Sequence, residues 1–215
     1  MRRSFYILPA MLILLFTLPA CANAEVTQAA DPEGTLLCEK DGIAAKAVPT
    51  KDGDYCVFIT NNTDGVIDEL DATIYYMDGN GQIVDFQADG HDMVLAGSTV
   101  VSKIVMIKEF ACAKLDIEYE LGVNPRYENH AKNVSITSNI GNDNLIIQIT
   151  NGGEVQIAEI EYAVVYYLGA EIVKVGYPHD VYKVEAGGTA IEKEYTPKEF
   201  DRYEIYLNQA HTFGF

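Results

Sequence analysis

The sequence predicts an all-β protein in which two tandem antiparallel β-sandwich domains follow an N-terminal signal peptide. Three observations support this fold class: an apolar leader, a series of strands and turns that occurs twice, and apolar residues that alternate along short segments. No long stretch has the 3.6-residue apolar period of a helix. The predicted limits are a signal peptide at 1–24, a flexible tail at 25–35, repeat 1 at 36–122 and repeat 2 at 127–215.

The leader has the three parts of an export signal. Arg2 and Arg3 supply positive charge, residues 5–20 are apolar and uncharged, and Ala22 and Ala24 are the small residues that a signal peptidase requires. The apolar segment is too short for a membrane span, and no second segment of about 18 apolar residues follows it. We therefore expect cleavage after Ala24 and export to the periplasm or the extracellular space.

A second interpretation of the leader places a lipid on Cys21. The segment 18–21, Leu-Pro-Ala-Cys, resembles the bacterial lipobox, in which the cysteine is lipidated and becomes the first mature residue. The mature chain would then be held on a membrane by this anchor alone. The sequence leaves a soluble exported protein and a lipoprotein as alternatives.

The same motifs recur 90 residues further along the chain. Ile-Thr-Asn occurs at 59–61 and 149–151, and Lys-Glu-Phe occurs at 108–110 and 198–200. Each unit of about 90 residues is long enough to enclose a small core of its own. Pro125 lies between the units and predicts a short, stiff linker.

Alternating apolar residues mark the strands. In repeat 1, Tyr55, Val57 and Ile59 share one face, and their counterparts in repeat 2 are aliphatic. The segment 78–81, Asp-Gly-Asn-Gly, is a strong hairpin turn signal. Six or seven short strands per repeat are typical of a Greek-key sandwich with an immunoglobulin-like outline, and an up-and-down barrel is the alternative.

These strand and turn motifs resemble the FxLYD-type bacterial immunoglobulin-like domain. Ile74, Tyr76 and Asp78 stand in the strand that gives this family its name, and residues 96–99, Ala-Gly-Ser-Thr, stand in its glycine turn. The matching positions of repeat 2 are Val164, Tyr166, Leu168 and residues 186–189. The resemblance implies the fold and an extracytoplasmic setting, and it carries no catalytic residues.

Charge excludes one class of partner. The formal net charge is −17, and loss of Arg2 and Arg3 with the leader makes it −19. Phosphate backbones and anionic lipid headgroups repel such a chain, so no nucleic-acid partner is predicted. The same charge favours solubility.

Two histidine–aspartate pairs are the candidate metal ligands. His91-Asp92 and His179-Asp180 are interpreted as parts of corresponding loops in the two repeats. Imidazole and carboxylate suit a metal site or a proton sensor. Two ligands per repeat do not close a metal site, so turn-forming loops are the main interpretation and no cofactor is predicted.

Three cysteines remain after the leader, and none has the CxxC spacing of a zinc site. Cys38 begins the first strand of repeat 1, and Cys112 lies just before the last. These strands often run parallel in such sandwiches, which makes Cys38–Cys112 the candidate disulfide. Cys56 is expected to lie far from Cys38.

Adjacent tyrosines are the nearest approach to a binding surface. In Tyr75-Tyr76 and Tyr166-Tyr167, the two side chains of each pair must point to opposite sheet faces. One of each pair is expected in a core. The other is either packed half-buried or available to a partner.

No catalytic motif stands out, since the chain has neither a G-x-S-x-G elbow nor an S-x-x-K motif. We therefore expect a non-enzymatic, exported cell-envelope binding or spacer module with a protein or glycan partner. The alternatives are a metal-responsive periplasmic protein that uses the His-Asp pairs and an accessory domain of an envelope enzyme system.

Overall fold

The computed structural model describes residues 34–107, 109–176 and 179–213. The predicted signal peptide, Cys21 and nearly all of the predicted tail lie outside the described residues. Strand pairing is antiparallel throughout, and the helical content of the described part is a single 3-10 turn at Ala131–Asn133. The all-β prediction is confirmed. Within the same residues, no helix has the length and apolarity that crossing a membrane requires.

Repeat 1 consists of two facing sheets. Its strands are β1 (Leu36–Lys40), β2 (Ile43–Pro49), β3 (Asp54–Asn61), β4 (Ile67–Met77), β5 (Ile83–Val94), β6 (Thr99–Val105) and β7 (Cys112–Leu121). One sheet has the order β1-β2-β3-β6 and the other β5-β4-β7. Val57 and Ile59 of the first sheet share a buried core with Ile74 and Ile117 of the second. This arrangement is consistent with a β-sandwich.

Repeat 2 also consists of two facing sheets, but its first strand joins the other sheet. Its strands are β8 (Tyr127–Asn129), β9 (Val134–Gly141), β10 (Asn144–Asn151), β11 (Ile157–Leu168), β12 (Glu171–Val175), β13 (His179–Val184), β14 (Thr189–Tyr195) and β15 (Arg202–Phe213). The sheets are β14-β10-β9 and β12-β11-β15-β8, with β13 paired to β11. They enclose a separate core that includes Ile147, Tyr162 and Val164.

The strand pairings of the two repeats are equivalent after a shift of 90 residues, which is the spacing of the repeated sequence motifs. Ile67 lies opposite Val94 across β4 and β5, and Ile157 lies opposite Val184 across β11 and β13. Both pairs differ by 90 residues, as do the Ile-Thr-Asn motifs. Strands β12 and β13 together take the place that β5 fills alone.

A buried asparagine connects the two sheets of each repeat. At the end of β3, Asn61 donates its side-chain amide to the carbonyls of Gly65 and Val94 at 2.9 and 3.0 Å. At the end of β10, Asn151 makes the equivalent bonds at 2.8 and 3.0 Å. Both side chains are fully buried. The recurring Ile-Thr-Asn motif is therefore a link between sheets as well as a turn.

The predicted disulfide pair is not brought together, which corrects the sequence interpretation. Cys38 is a buried free thiol beside the backbone of Ile117. Cys112, in contrast, begins β7 opposite Met77. Five residues of extended strand separate Cys112 from Ile117, a distance of about 16 Å. The prediction was wrong because β1 meets β7 near its middle and not at its start.

A third apolar cluster joins the two repeats and is named here the repeat–repeat interface. Repeat 1 contributes outward side chains of β2, β3 and β6, and repeat 2 contributes outward side chains of β11, β12 and β15. Its fully or largely buried members are Cys56, Val101, Ala163, Val165, Tyr167, Ile172 and Val175, with Val48, Phe58 and Tyr206 packed around them. The rings of Phe58 and Tyr206 meet edge to face at 5.6 Å.

Candidate functional site

Polar and charged side chains gather along one margin of the repeat–repeat interface and are named here the interface polar cluster. Repeat 1 contributes from β5 and β6, and repeat 2 contributes from β11 and β15. The members are Asp89, His91, Asp92, Ser102, Glu159, Glu161, Asn208 and His211.

Asn208 joins the two repeats through direct hydrogen bonds. Its side-chain oxygen accepts from the backbone N–H of Val101 at 2.9 Å, and its amide donates to the Val101 carbonyl at 3.0 Å. The amide also donates to Glu161 at 2.7 Å. Because β6 is an edge strand, its outward backbone groups would otherwise need water. The Asn208 side chain provides the acceptor and the donor that the backbone of a neighbouring strand would provide to Val101.

His91 extends this network into repeat 1. Its Nε2 lies 2.7 Å from the Ser102 hydroxyl, and its Nδ1 lies 3.5 Å from Glu161 Oε1. Burial alone favours the neutral form of Glu161, but the contacts with His91 and Asn208 outweigh burial and lower the pKa of this carboxyl group. A carboxylate of repeat 2 is thus contacted by polar side chains of both repeats.

The other carboxyl groups of the cluster are shifted in the opposite direction. Burial raises the pKa of Asp89, Asp92 and Glu159. Neighbouring negative charges add to this shift, from Asp68 at Asp92 and from Asp180 at Glu159. The interface polar cluster therefore gathers negative charge where little water reaches it.

His211 lies within this negative environment on β15. Its Nε2 is 3.7 Å from Glu159 Oε2, and its ring packs against Tyr127 at 4.6 Å and Phe213 at 5.6 Å. Burial lowers the pKa of His211 despite the nearby carboxylates. The folded chain therefore keeps this imidazole neutral to a lower pH than the unfolded chain does.

Replacement of His211 is expected to flatten part of the pH dependence of stability. The folded-state pKa lies below the unfolded value of about 6.5, so the unfolded state takes up the proton first. The stabilisation is present above that unfolded pKa and is lost as the pH falls through the folded pKa. We expect the urea midpoint of the wild type to fall between pH 7.5 and 5.5.

His211→Gln should lose most of that slope. The three carboxyl groups with raised pKa act in the opposite sense, because the folded state binds their protons more readily, and their effect grows at lower pH. An unchanged slope in His211→Gln would assign the pH dependence to another group.

His179 belongs to a different polar cluster, inside repeat 2. Its ring stacks on Tyr162 with centroids 5.1 Å apart, and its Nε2 lies 3.6 Å from the buried Glu194. Lys174 contacts the same carboxylate at 3.4 Å. Glu194 faces Leu145 across the ladder, and the corresponding position of repeat 1 is Ile104. This cluster is therefore a feature of repeat 2 alone.

The two His-Asp pairs lie in strands and do not correspond to one another. His91 in β5 lies opposite Leu70, whereas His179 in β13 lies opposite Tyr162. The structural counterpart of His91 is Val181. The interpretation as corresponding loops is wrong, because the pairs are 88 residues apart and the registers match at 90. The described residues contain no group of three or more His, Cys, Asp or Glu placed to hold a metal ion.

The tyrosine pairs divide between two environments, as the alternation of a strand requires. Tyr76 and Tyr166 are fully buried in the two cores. Tyr167 lies in the repeat–repeat interface, and Tyr75 is half-buried on the outer surface of repeat 1. The outward tyrosine of repeat 2 therefore contacts repeat 1.

Sequence reasoning did not single out Asn208, Glu161 or His211. Each lies outside a recognisable motif, and a single sequence has no signal for them. The interface itself did leave a signal. Residues 55–59 and 163–167 are uninterrupted apolar runs, which is typical of strands buried on both faces.

Comparisons with known proteins add little. No protein-family model matches the chain, and no curated protein matches it. Among solved structures, a transglutaminase from red sea bream gives a TM-score of 0.22 at 9% identity over 82% of this chain. The chain spans 31% of the length of that transglutaminase. At this TM-score the likeness carries no argument about fold or activity.

Proposed function

We propose that the chain is a non-enzymatic, exported module of the bacterial cell envelope, in which two immunoglobulin-like repeats form one rigid binding or spacer unit. The observation that carries this proposal is the repeat–repeat interface. It combines a buried apolar cluster with hydrogen bonds from Asn208 to the backbone of Val101. A flexible pair of domains would need neither feature.

A fixed geometry is useful to a module whose role is to hold or space partners. Additional contacts restrain the orientation of the repeats away from the apolar cluster. The Lys51 backbone N–H donates to the Ile172 carbonyl at 3.0 Å, and its side chain contacts Glu171 at 2.8 Å. Asn129 donates to the Met93 carbonyl at 3.2 Å. The repeats are therefore joined at several separate points.

Tumbling measured by NMR relaxation tests this proposal. We expect backbone amides of both repeats in the processed chain to report one shared rotational correlation time. Asn208→Ala leaves the Val101 N–H and carbonyl without their partner, and it should cost about 2–3 kcal/mol of stability. Thr150→Ala removes an exposed hydroxyl pair with Thr189 and serves as the control. Two independent, shorter correlation times in the wild type would contradict a rigid unit.

A further inference from the structure

The two repeats use different faces at their interface, and this leaves the counterpart of each face uncovered. Repeat 1 uses its docking face, the outward side of β3 and β6 around Cys56, Phe58 and Val101. Repeat 2 uses its receiving face, the outward side of β11, β12 and β15 around Val165 and Tyr206. Repeat 2 also has a docking face, and repeat 1 also has a receiving face. Neither of these two open faces contributes a residue to the apolar cluster of the repeat–repeat interface.

The open docking face of repeat 2 keeps the apolar character of its counterpart. The ladder places Ile146 where repeat 1 has Cys56, and Ile191 where it has Val101. Ile191 is 69% exposed and Ile146 is 37% exposed. Tyr195, at the end of the same face, is 72% exposed. Ile146 and Ile191 thus expose large apolar side chains at the two positions that repeat 1 buries in the repeat–repeat interface.

The open receiving face of repeat 1 is apolar at the positions that repeat 2 buries in the repeat–repeat interface. Tyr75 takes the place of Val165, Phe86 that of Val175, and Ile83 that of Ile172. Phe86 and Ile83 are each 60% exposed, and the Tyr75 and Phe86 rings lie 6.3 Å apart.

We propose that these two open faces bind each other in separate copies of the chain, so that repeat 2 of one copy docks on repeat 1 of the next. The contact repeats the geometry of the intramolecular interface between different molecules. Such a contact is heterologous, because each copy uses one face to donate and another to receive. It therefore extends copies head to tail in a row.

Polar positions of the two open faces also fit each other. The counterpart of Phe58 is Gln148, and the counterpart of Tyr206 is Asp116. The aromatic pair of the intramolecular interface thus becomes an amide facing a carboxylate, which can hydrogen-bond. Lys193 lies beside Ile191 on the docking face, while Asp71 and Asp116 lie on the receiving face. The docking face thus carries a positive charge and the receiving face two negative charges, and this complementarity favours their association.

The intermolecular contact is weaker than the intramolecular one for two reasons. Asn208 follows Leu207 at a register shift in β15, whereas β7 has no shift there and continues from Ile117 to Glu118. A carboxylate accepts hydrogen bonds but donates none, so Glu118 does not replace both bonds of Asn208. Copies of the mature chain, each with a net charge of −19 after loss of Arg2 and Arg3, also repel one another. Salt screens this repulsion, so association should increase from 0.05 to 0.5 M NaCl.

Analytical ultracentrifugation of the processed chain, from an exporting host that removes the leader, tests the proposal. We expect the wild type to be monomeric at about 5 μM and to form dimers and longer rows at several hundred micromolar in 0.5 M NaCl. Ile191→Asp and Phe86→Asp should each remain monomeric throughout, with melting midpoints close to that of the wild type. Ile140→Asp, at a 57% exposed position outside both faces, should associate like the wild type.

A mixture of the two blocked variants gives the decisive measurement. Ile191→Asp keeps an intact receiving face, and Phe86→Asp keeps an intact docking face. An equimolar mixture should form a 1:1 heterodimer that grows no further. Dimerisation of either variant alone would indicate a symmetric contact and overturn the proposal. A wild type that remains monomeric at all concentrations and salts, or a mixture without heterodimer, would also overturn it.

Discussion

Val165→Asp is expected to separate the two repeats. Val165 is fully buried in the repeat–repeat interface, and its side chain lies on the face of β11 that points away from the core of repeat 2. A carboxylate there has no partner and a large desolvation cost while the repeats are docked. Undocking restores its hydration and leaves both cores in place. The cost to the folded chain is therefore limited to the free energy that couples the repeats.

The expected loss is about 3 kcal/mol, or roughly 10 °C in the first melting transition. The single cooperative transition should divide into two, and the radius of gyration from small-angle X-ray scattering should rise. Tyr75→Asp, at the equivalent position of repeat 1, is the matched control. Tyr75 is half-buried and outside the interface, so in dilute solution this variant should lose less than about 1 kcal/mol. A single transition and an unchanged radius of gyration in Val165→Asp would show that the interface does not couple the repeats.

Asn61→Ala and Asn151→Ala are expected to destabilise one repeat each. The Asn61 amide satisfies two backbone carbonyls, and its side-chain oxygen accepts from the Thr63 N–H at 3.0 Å and the Thr63 hydroxyl at 2.7 Å. Alanine removes the Asn61 bonds to the Val94 carbonyl and the Thr63 N–H, while the Thr63 hydroxyl still bonds the Gly65 carbonyl at 3.2 Å. The link between the two sheets is lost. We expect a cost of about 2–4 kcal/mol for each variant.

Hydrogen exchange measured by mass spectrometry locates the effect. Asn61→Ala should accelerate exchange in β3, β4 and β5, whereas Asn151→Ala should act on β10, β11 and β13. Thr60→Ala is the control, since it removes one hydrogen bond, between the side-chain hydroxyls of Thr60 and Thr99 at 2.8 Å, at a partly exposed position. Faster exchange across both repeats in either variant would mean that the two cores do not unfold separately.

The sequence contains most of what is needed to predict the strands. The alternation of Tyr55, Val57 and Ile59 and the 90-residue spacing of the Ile-Thr-Asn motif both reflect a one-sided core that forms locally within each repeat. Such patterns are visible because they recur in corresponding strands of the two repeats. The function of Asn61 as a link between sheets follows from burial, which its sequence position alone does not show.

The interface and its polar cluster were harder to predict for a physical reason. Asn208 acts through the backbone of Val101, and a backbone partner leaves no trace in the identity of the residue that it contacts. The position of Cys38 relative to β7 depends on where two strands cross, which local patterns do not fix. The two His-Asp pairs looked equivalent because similar dipeptides occur near the same point of each repeat. Their strand partners show that the likeness is coincidental.

Cys56 gives the molecule a built-in chemical reporter. Its thiol is fully buried in the repeat–repeat interface, and burial raises its pKa, so the docked chain withholds the thiolate from electrophiles and oxidants. Cys38 is enclosed by the core of repeat 1 and reacts only when that core opens. The alkylation rate at Cys56 therefore measures how often the repeats part, and the rate at Cys38 measures how often repeat 1 unfolds.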